Sequence, residues 1–170
     1  MLTKISAWNS CLAGLISISL FGFGACRSRT EWSALPANEV ENLIKPCSRE
    51  FPPGLTGRWT PTSDDIARAE QKIRAAVQTA LAKIPPEYRK NAPATYYRQY
   101  AGFMRNGQKV LYVNGFDQET GADESWRSKA VLICDGGLAN FGAVFDLSTE
   151  EYGSFAFNGT YAGDIPGGGQ

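Results

Sequence analysis

An Asn-Gly pair between two long segments constrains the fold of this chain more than any other feature. Residues 94–105 (ATYYRQYAGFMR) and 108–116 (QKVLYVNGF) flank Asn106-Gly107. Asn-Gly is the strongest short signal for a two-residue type I′ turn, so the two segments are predicted to pair as a β-hairpin. Closure by two residues also fixes the cross-strand partners. The predicted pairs are Arg105 with Gln108, Phe103 with Val110, and Ala101 with Tyr112.

One long amphipathic helix is predicted before this hairpin, over residues 62–84 (TSDDIARAEQKIRAAVQTALAKI). Thr62 or Ser63 can serve as the N-cap, two aspartates follow in the first turn, and two prolines stand beyond the end. Apolar residues recur at three- and four-residue spacing and form one stripe that can pack on a sheet. The stripe consists of Ile66, Ala69, Ile73, Val77, Ala80, Leu81 and Ile84.

The remaining elements complete an α+β fold. A short helix is expected from Asn38 to Pro46, and residues 51–61 are expected to be a loop because they are rich in proline and glycine. Three further strands are predicted, at residues 128–135, 141–147 and 153–159. The predicted fold is therefore one long helix and one short helix packed on a four- or five-stranded antiparallel sheet. This element order resembles that of cystatin-like or NTF2-like folds.

The composition excludes several classes of function. The 170 residues contain no histidine, which rules out a Ser-His-Asp triad, a Cys-His pair and a His-ligated zinc site. Lysine plus arginine equals aspartate plus glutamate, at 17 each, so no basic surface for nucleic acid is expected. We expect a protein that is not an enzyme and uses no cofactor. A carboxylate-based hydrolase stays open as an alternative, with two catalytic residues drawn from Glu119, Asp123, Asp135 and Asp146.

The first 25 residues have the pattern of a secretory signal, with a cationic start, an apolar middle and small residues at the exit. The exit, Phe23-Gly24-Ala25-Cys26, resembles a bacterial lipobox, although leucine is usual where Phe23 stands. The resemblance implies that Cys26 carries a lipid and anchors the protein to a membrane, facing the periplasm. Arg27 after it favours the outer membrane. We then expect a tether over 26–37, one domain over 38–162 and a flexible tail over 163–170.

The cysteines fit this assignment. With Cys11 inside the signal and Cys26 lipidated, Cys47 and Cys134 remain as a pair in an oxidising compartment. A disulfide between these two is predicted, and two unpaired buried thiols are the alternative.

An aromatic cluster on the predicted hairpin is the first candidate for a binding site. If only one face of the sheet packs on the long helix, the other face stays open, and tyrosines with an arginine there would suit a protein or a glycan. Packing of tyrosines in ordinary strands is the alternative. The candidate binding residues are Tyr96, Arg98, Tyr100, Tyr112, Trp126 and Arg127.

Two smaller features contain residues that could carry chemistry. The acidic loop from Asp117 to Glu124 has oxygen ligands of the kind that calcium prefers, but its spacing does not match an EF-hand, so no metal is expected. Asp135 in the sequence CDGG could be a catalytic carboxylate, but a role in a tight turn is favoured.

The strand series from Tyr96 onward, with YYRQYAGF, WRSKAVLICDGG and FGAVFDL, resembles a group of small proteobacterial envelope proteins. The likeness covers about residues 58–160 and implies no activity. The favoured function is a lipid-anchored envelope protein that binds or inhibits another protein through its aromatic sheet face. The alternatives are a periplasmic module that binds a small ligand or a glycan, and the carboxylate hydrolase.

Overall fold

The structure is a computed structural model that describes residues 31–45 and 48–159. The described elements, in chain order, are β1 (Trp32–Ala34), α1 (Val40–Leu43), β2 (Leu55–Trp59), α2 (Ser63–Ala82), α3 (Pro86–Arg89), β3 (Tyr96–Arg105), β4 (Gln108–Asp117), β5 (Asn140–Asp146) and β6 (Glu151–Phe157). The strands form one sheet in the order β1-β3-β4-β5-β6, and β2 pairs with β3 beside β1. Because β1 runs parallel to β3 and the other pairs are antiparallel, the sheet is mixed. The predicted α+β class is confirmed, and the predicted antiparallel sheet is confirmed in part, since among the described strand pairs only that of β1 with β3 is parallel.

The hairpin of β3 and β4 has the predicted turn and register. Asn106 and Gly107 have φ of 50° and 78°, as a type I′ turn requires at both central positions. All three predicted cross-strand pairs are present in the ladder, from Arg105 with Gln108 to Ala101 with Tyr112.

Helix α2 begins with a complete capping box. The Thr62 hydroxyl accepts a hydrogen bond from the backbone N–H of Asp65, and the Asp65 carboxylate accepts one from the backbone N–H of Thr62. The predicted stripe faces the sheet, with Ile66, Ala69, Ile73 and Val77 buried against β3, β4 and β5. The long helix therefore covers one face of the sheet, as its periodicity indicates.

The opposite face of the sheet is also covered. Leu35 and α1 pack on it through Val40 and Leu43, against Phe103 and Tyr112 of the hairpin. The long connection between β4 and β5 covers the rest of this face. The expectation of an open sheet face is therefore wrong, since both faces of the hairpin strands are buried.

Residues 128–135 do not form the predicted strand but cross this second face without regular structure. Their backbone groups bond to buried side chains of the sheet instead of to a neighbouring strand. Gln99 accepts from the N–H of Val131 and donates to the carbonyl of Lys129, at 2.9 and 2.6 Å. Asn114 and Asn158 donate to the carbonyls of Val131 and Ile133, at 2.9 and 2.6 Å.

The fold begins earlier than predicted, inside the expected tether. Arg98 donates its backbone N–H to Glu31, and Leu35 donates to Tyr100, both at 2.9 Å, so β1 is held against β3. Residues 51–61 also contain β2, which was expected to be a loop. The tether before residue 31, Cys26, the signal and residues 160–170 lie outside the described residues. Among the residues described, no helix is long and apolar enough to cross a membrane.

Candidate functional site in the cleft between helix and sheet

The hairpin divides the candidate binding residues between the two faces of the sheet. Tyr96, Arg98 and Tyr100 point towards α2, whereas Tyr112 lies on the opposite face. All four are at most 8% exposed, so none contributes to an open aromatic surface. The sheet face proposed from the sequence is therefore interior, because strands this apolar are covered on both sides.

Trp126 and Arg127 also lie on the face opposite α2. Trp126 is buried, stacks on Tyr97 at 4.9 Å, and has a ring nitrogen with no hydrogen-bond partner among the described residues. The guanidinium of Arg127 lies over this ring at 4.2 Å and pairs with Glu124 at 2.5 Å. These contacts give both residues a structural role in fixing the connection between β4 and β5.

A cleft of about 530 Å³ opens between α2 and the start of β3. Its helix wall is formed by consecutive turns of α2, from Glu70 to Leu81, and its other wall by residues 93–98. Ile73, Val77 and Leu81 give the helix wall an apolar strip about 12 Å long. Cavities of this size hold small organic ligands in many proteins.

A charged pair closes one end of this cleft. Arg98 donates two hydrogen bonds to the carboxylate of Glu70, from Nε at 2.6 Å and from Nη2 at 2.7 Å. Tyr100 donates its hydroxyl to the same carboxylate at 2.5 Å, and Arg98 also reaches Glu31 at the rim at 3.3 Å. Two parallel hydrogen bonds of this kind fix the orientation of the guanidinium relative to the carboxylate, in addition to pairing their charges. The polar end of the cleft is thus rigid before any ligand arrives.

The same contacts set the ionisation of the site. Burial raises the pKa of Tyr96 and of Tyr100 well above that of a free phenol, and neighbouring acids add to both shifts. Burial opposes the charge of Arg98, but the hydrogen bonds and charge of Glu70 outweigh it and raise the pKa of the guanidinium. Near neutral pH the hydroxyls stay protonated and Arg98 stays charged. The single O–H of each phenol is already donated, from Tyr96 to the carbonyl of Leu138 at 2.6 Å and from Tyr100 to Glu70 at 2.5 Å. These groups therefore fix the shape of the polar end of the cleft.

Arg74 supplies the second cation of the cleft. It lies on α2 one turn after Glu70, is exposed, and forms no ion pair with any described residue. The cleft therefore combines an apolar strip, a fixed polar end and one solvated guanidinium at the rim. Such a lining suits an elongated ligand with an anionic or hydrogen-bonding group.

Glu70 is the central residue of this site that the sequence interpretation missed. It lies beside Ala69 and three residues before Ile73, at the border of the apolar stripe of α2. A charge at such a border, together with an arginine inside the strand YYRQY, is the signal that could have identified the pair. A buried arginine needs an acid, and the stripe of the covering helix is where that acid must lie.

The other candidates for chemistry occupy turns. Asp146 lies at the end of β5 opposite Val110, whereas Glu119 and Asp123 follow β4 at the other end of the sheet, about 20 Å away. Asp123 accepts from the N–H and hydroxyl of Ser125, as Asp146 does from Ser148. Asp135 is exposed, with φ of 59°. No group of three or more acids or cysteines that could hold a metal occurs within 31–45 and 48–159.

One half of the predicted disulfide is described. Cys134 is disulfide-bonded, and Cys47 lies outside the described residues. Ser48, the next residue after Cys47, accepts a hydrogen bond from the backbone N–H of Asp135 at 3.0 Å. The residues that follow the two cysteines are thus in contact, which supports the pairing of Cys47 with Cys134 but leaves it a prediction.

No protein-family model, curated protein or solved structure matches this chain. The function must therefore be argued from the site itself.

Proposed function

We propose that this chain is a non-enzymatic binding protein of the bacterial envelope, anchored at Cys26 and facing the periplasm, with the outer membrane favoured. Its binding site is the cleft between α2 and β3, not the aromatic sheet face. The single observation that carries the proposal is a 530 Å³ opening whose polar end is fixed by a buried, bidentate Arg98–Glu70 pair. The helix-on-sheet arrangement that forms the cleft is compatible with a cystatin-like or NTF2-like order.

The ligand that fits best is elongated, with an apolar body and a hydrogen-bonding or anionic end. Its body would lie along Ile73, Val77 and Leu81, and its polar end would reach Arg74 at the rim. A glycan is the alternative ligand. Exposure does not separate the two, because Ile73 and Val77 are 6% and 8% exposed and the lining ring of Tyr96 is 6% exposed.

The proposal of a non-enzymatic role draws on the groups at the polar end of the cleft. The sequence has no histidine, and Tyr96, Tyr100 and Arg98 stay protonated near neutral pH. Their donors are used within the protein, on Leu138 and Glu70, so we assign them to the shape of the site and assign Arg74 to the ligand.

A protein partner is compatible with the same site. Because both sheet faces are covered, a partner that is bound or inhibited would have to insert an extended segment into the cleft. Tyr88 and Leu132 are the exposed large apolar side chains of the described residues, and they belong to different parts of the fold. Two isolated side chains do not make the broad apolar patch of a stable flat interface.

Filling the cleft tests the proposal. The probe is 1-anilinonaphthalene-8-sulfonate, which has an apolar ring system and one sulfonate, and its binding is measured by equilibrium dialysis. Gln78→Trp places a large ring in the cleft and should weaken binding about tenfold or more. Gln71→Trp is the matched control, since Gln71 is also exposed on α2 but does not line the cleft. Equal binding by both variants would show that the probe does not use this cleft.

A further inference from the structure

Arg49 lies at a second site, on the sheet face opposite the α2 cleft. Its Nε and Nη2 donate to the Tyr112 hydroxyl at 3.2 and 3.1 Å, and Nη2 also donates to the Asn114 side-chain oxygen at 2.5 Å. Nη1 donates to the side-chain oxygen of Asn158. Tyr112, Asn114 and Asn158 are each at most 3% exposed, so three buried side chains of the sheet and its following turn hold this guanidinium in place.

The charge of Arg49 is not neutralised by these contacts. All of its partners are neutral, and no described residue places a carboxylate on it. By contrast, Arg98 is paired with Glu70 and Arg127 with Glu124. Charged groups held inside a fold are normally paired, because removing them from water is costly. Arg49, half-buried and held by neutral oxygens, therefore keeps a positive charge that can pair with an anion from a ligand.

A small pocket opens onto this guanidinium. It has a volume of about 20 Å³, which is room for one water-sized group. Lys45 and Ser48 line it together with Arg49, and no acid does. Leu132, also in the lining, is 47% exposed, which is unusual for a large apolar side chain in this fold. The pocket is thus lined by two cationic side chains, a hydroxyl group and an exposed leucine.

A guanidinium has five N–H donors, and the four contacts of Arg49 leave one on Nη1. We propose that this pocket binds a carboxylate of a peptide partner, presented by an acidic side chain or by the chain terminus. One carboxylate oxygen enters the pocket and accepts from Nη1, the ammonium of Lys45 supplies the second charge, and Leu132 packs on the neighbouring carbon atoms of the peptide. This site is separate from the α2 cleft and does not depend on the function proposed for it.

A pair of matched peptides tests whether the pocket prefers a carboxylate to a neutral amide. The blocked dipeptides acetyl-Ala-Asp-amide and acetyl-Ala-Asn-amide differ in one charged group and are titrated into the protein by calorimetry at constant ionic strength. The Asp peptide should bind at least about tenfold more tightly than the Asn peptide. Equal binding of the two peptides would overturn the proposal. Competition by chloride as strong as that by acetate would also overturn it, because the pocket would then be a site for small inorganic anions.

Variants locate the binding. Lys45→Gln should weaken the Asp peptide about threefold or more, whereas Lys90→Gln, an exposed lysine away from the pocket, should leave it unchanged. Arg49→Gln should abolish the preference for Asp over Asn, provided that its circular dichroism spectrum matches that of the parent. Lys45→Gln keeps the test decisive if loss of Arg49 prevents folding, since an unchanged affinity in Lys45→Gln contradicts the assignment.

Discussion

Gln99 holds the connection between β4 and β5 against the sheet. Its side chain is fully buried and makes four hydrogen bonds. It donates to the carbonyls of Trp126 and Lys129, and it accepts from Val131 and Asn114. One amide thus satisfies three backbone groups of a segment that has no strand beside it. In this region a buried side chain takes the place of a sheet ladder.

Replacing this amide should be costly. Gln99→Leu keeps the size but leaves the buried carbonyl of Trp126 and two half-buried backbone groups without a partner, so we expect a loss of about 2 kcal/mol or more in the free energy of unfolding. Gln108→Leu, at an exposed position of β4, is the control and should change stability by less than about 0.5 kcal/mol. Urea denaturation measures both variants, and equal midpoints would contradict the role given to Gln99.

Gln99 also explains why residues 128–135 do not form the predicted strand. The segment SKAVLICD has the β-branched and apolar residues of a strand, and nothing within it shows that its partners are side chains. That information lies about 30 positions earlier, in Gln99 inside YYRQY. A buried strand that contains arginine and glutamine must find an acid and polar groups elsewhere, and the sequence does not state where.

At the scale of elements, the hairpin and α2 were predictable because their determinants are local. The capping box, the apolar stripe and the Asn-Gly turn each depend on residues that are close together in the chain, so they can be recognised from the sequence alone. Strands β1 and β2 have three and five residues and exist because β3 offers them an edge. Such short strands depend on distant partners, and for the same reason the α2 cleft could not be foreseen.

The turn of the hairpin offers a clean measurement of backbone strain. Gly107 has φ of 78°, and a Cβ added there would touch nothing within 4 Å. Gly107→Ala should therefore cost about 1 kcal/mol through backbone conformation alone. Gly153→Ala is the matched control, because its added Cβ also meets nothing and its φ is not in the positive region. We expect the control to be neutral or slightly stabilising in thermal unfolding, and a similar loss in both variants would refute this explanation.

At the scale of the whole molecule, three distant segments of the chain meet next to the disulfide-bonded Cys134. Ser48 contacts Asp135, and the carbonyl of Ser48 accepts from Gly159 at 3.1 Å. The segment before β2, the connection before β5 and the chain after β6 thus meet at one place. If Cys47 is the partner, the bond closes a loop that contains α2 and the whole hairpin.

A double-mutant cycle tests this pairing. Cys134→Ser and Cys47→Ser should each lower the free energy of unfolding by about 4 kcal/mol, because both remove the same constraint on the unfolded chain. The double variant should lose no more than either single variant, since the second change removes nothing further. If Cys134→Ser lowers the free energy of unfolding and Cys47→Ser does not, the disulfide partner of Cys134 is a different cysteine. Intact mass with and without reductant provides the independent measurement.

The proposed anchor would determine how the domain faces the membrane. Strand β1 begins at Trp32, six positions after Cys26, and six residues span at most about 20 Å. Glu31, which precedes β1, lines the α2 cleft. A lipid on Cys26 would therefore hold the rim of this cleft close to the bilayer, within reach of ligands that come from it.

Cys26→Ala should release the protein from the membrane fraction, because a diacylglycerol group supplies the two acyl chains that stable anchoring requires. Cys11→Ala is the control, since that residue belongs to the predicted signal and should be absent from the mature protein. The control should fractionate with membranes as the parent does, and its mature mass should equal that of the parent, including the lipid. A parent protein found in the soluble periplasm, or a Cys26→Ala variant that stays with the membrane, would contradict the anchor. The cleft and the Arg49 pocket could then be tested unchanged, because neither depends on where the protein is held.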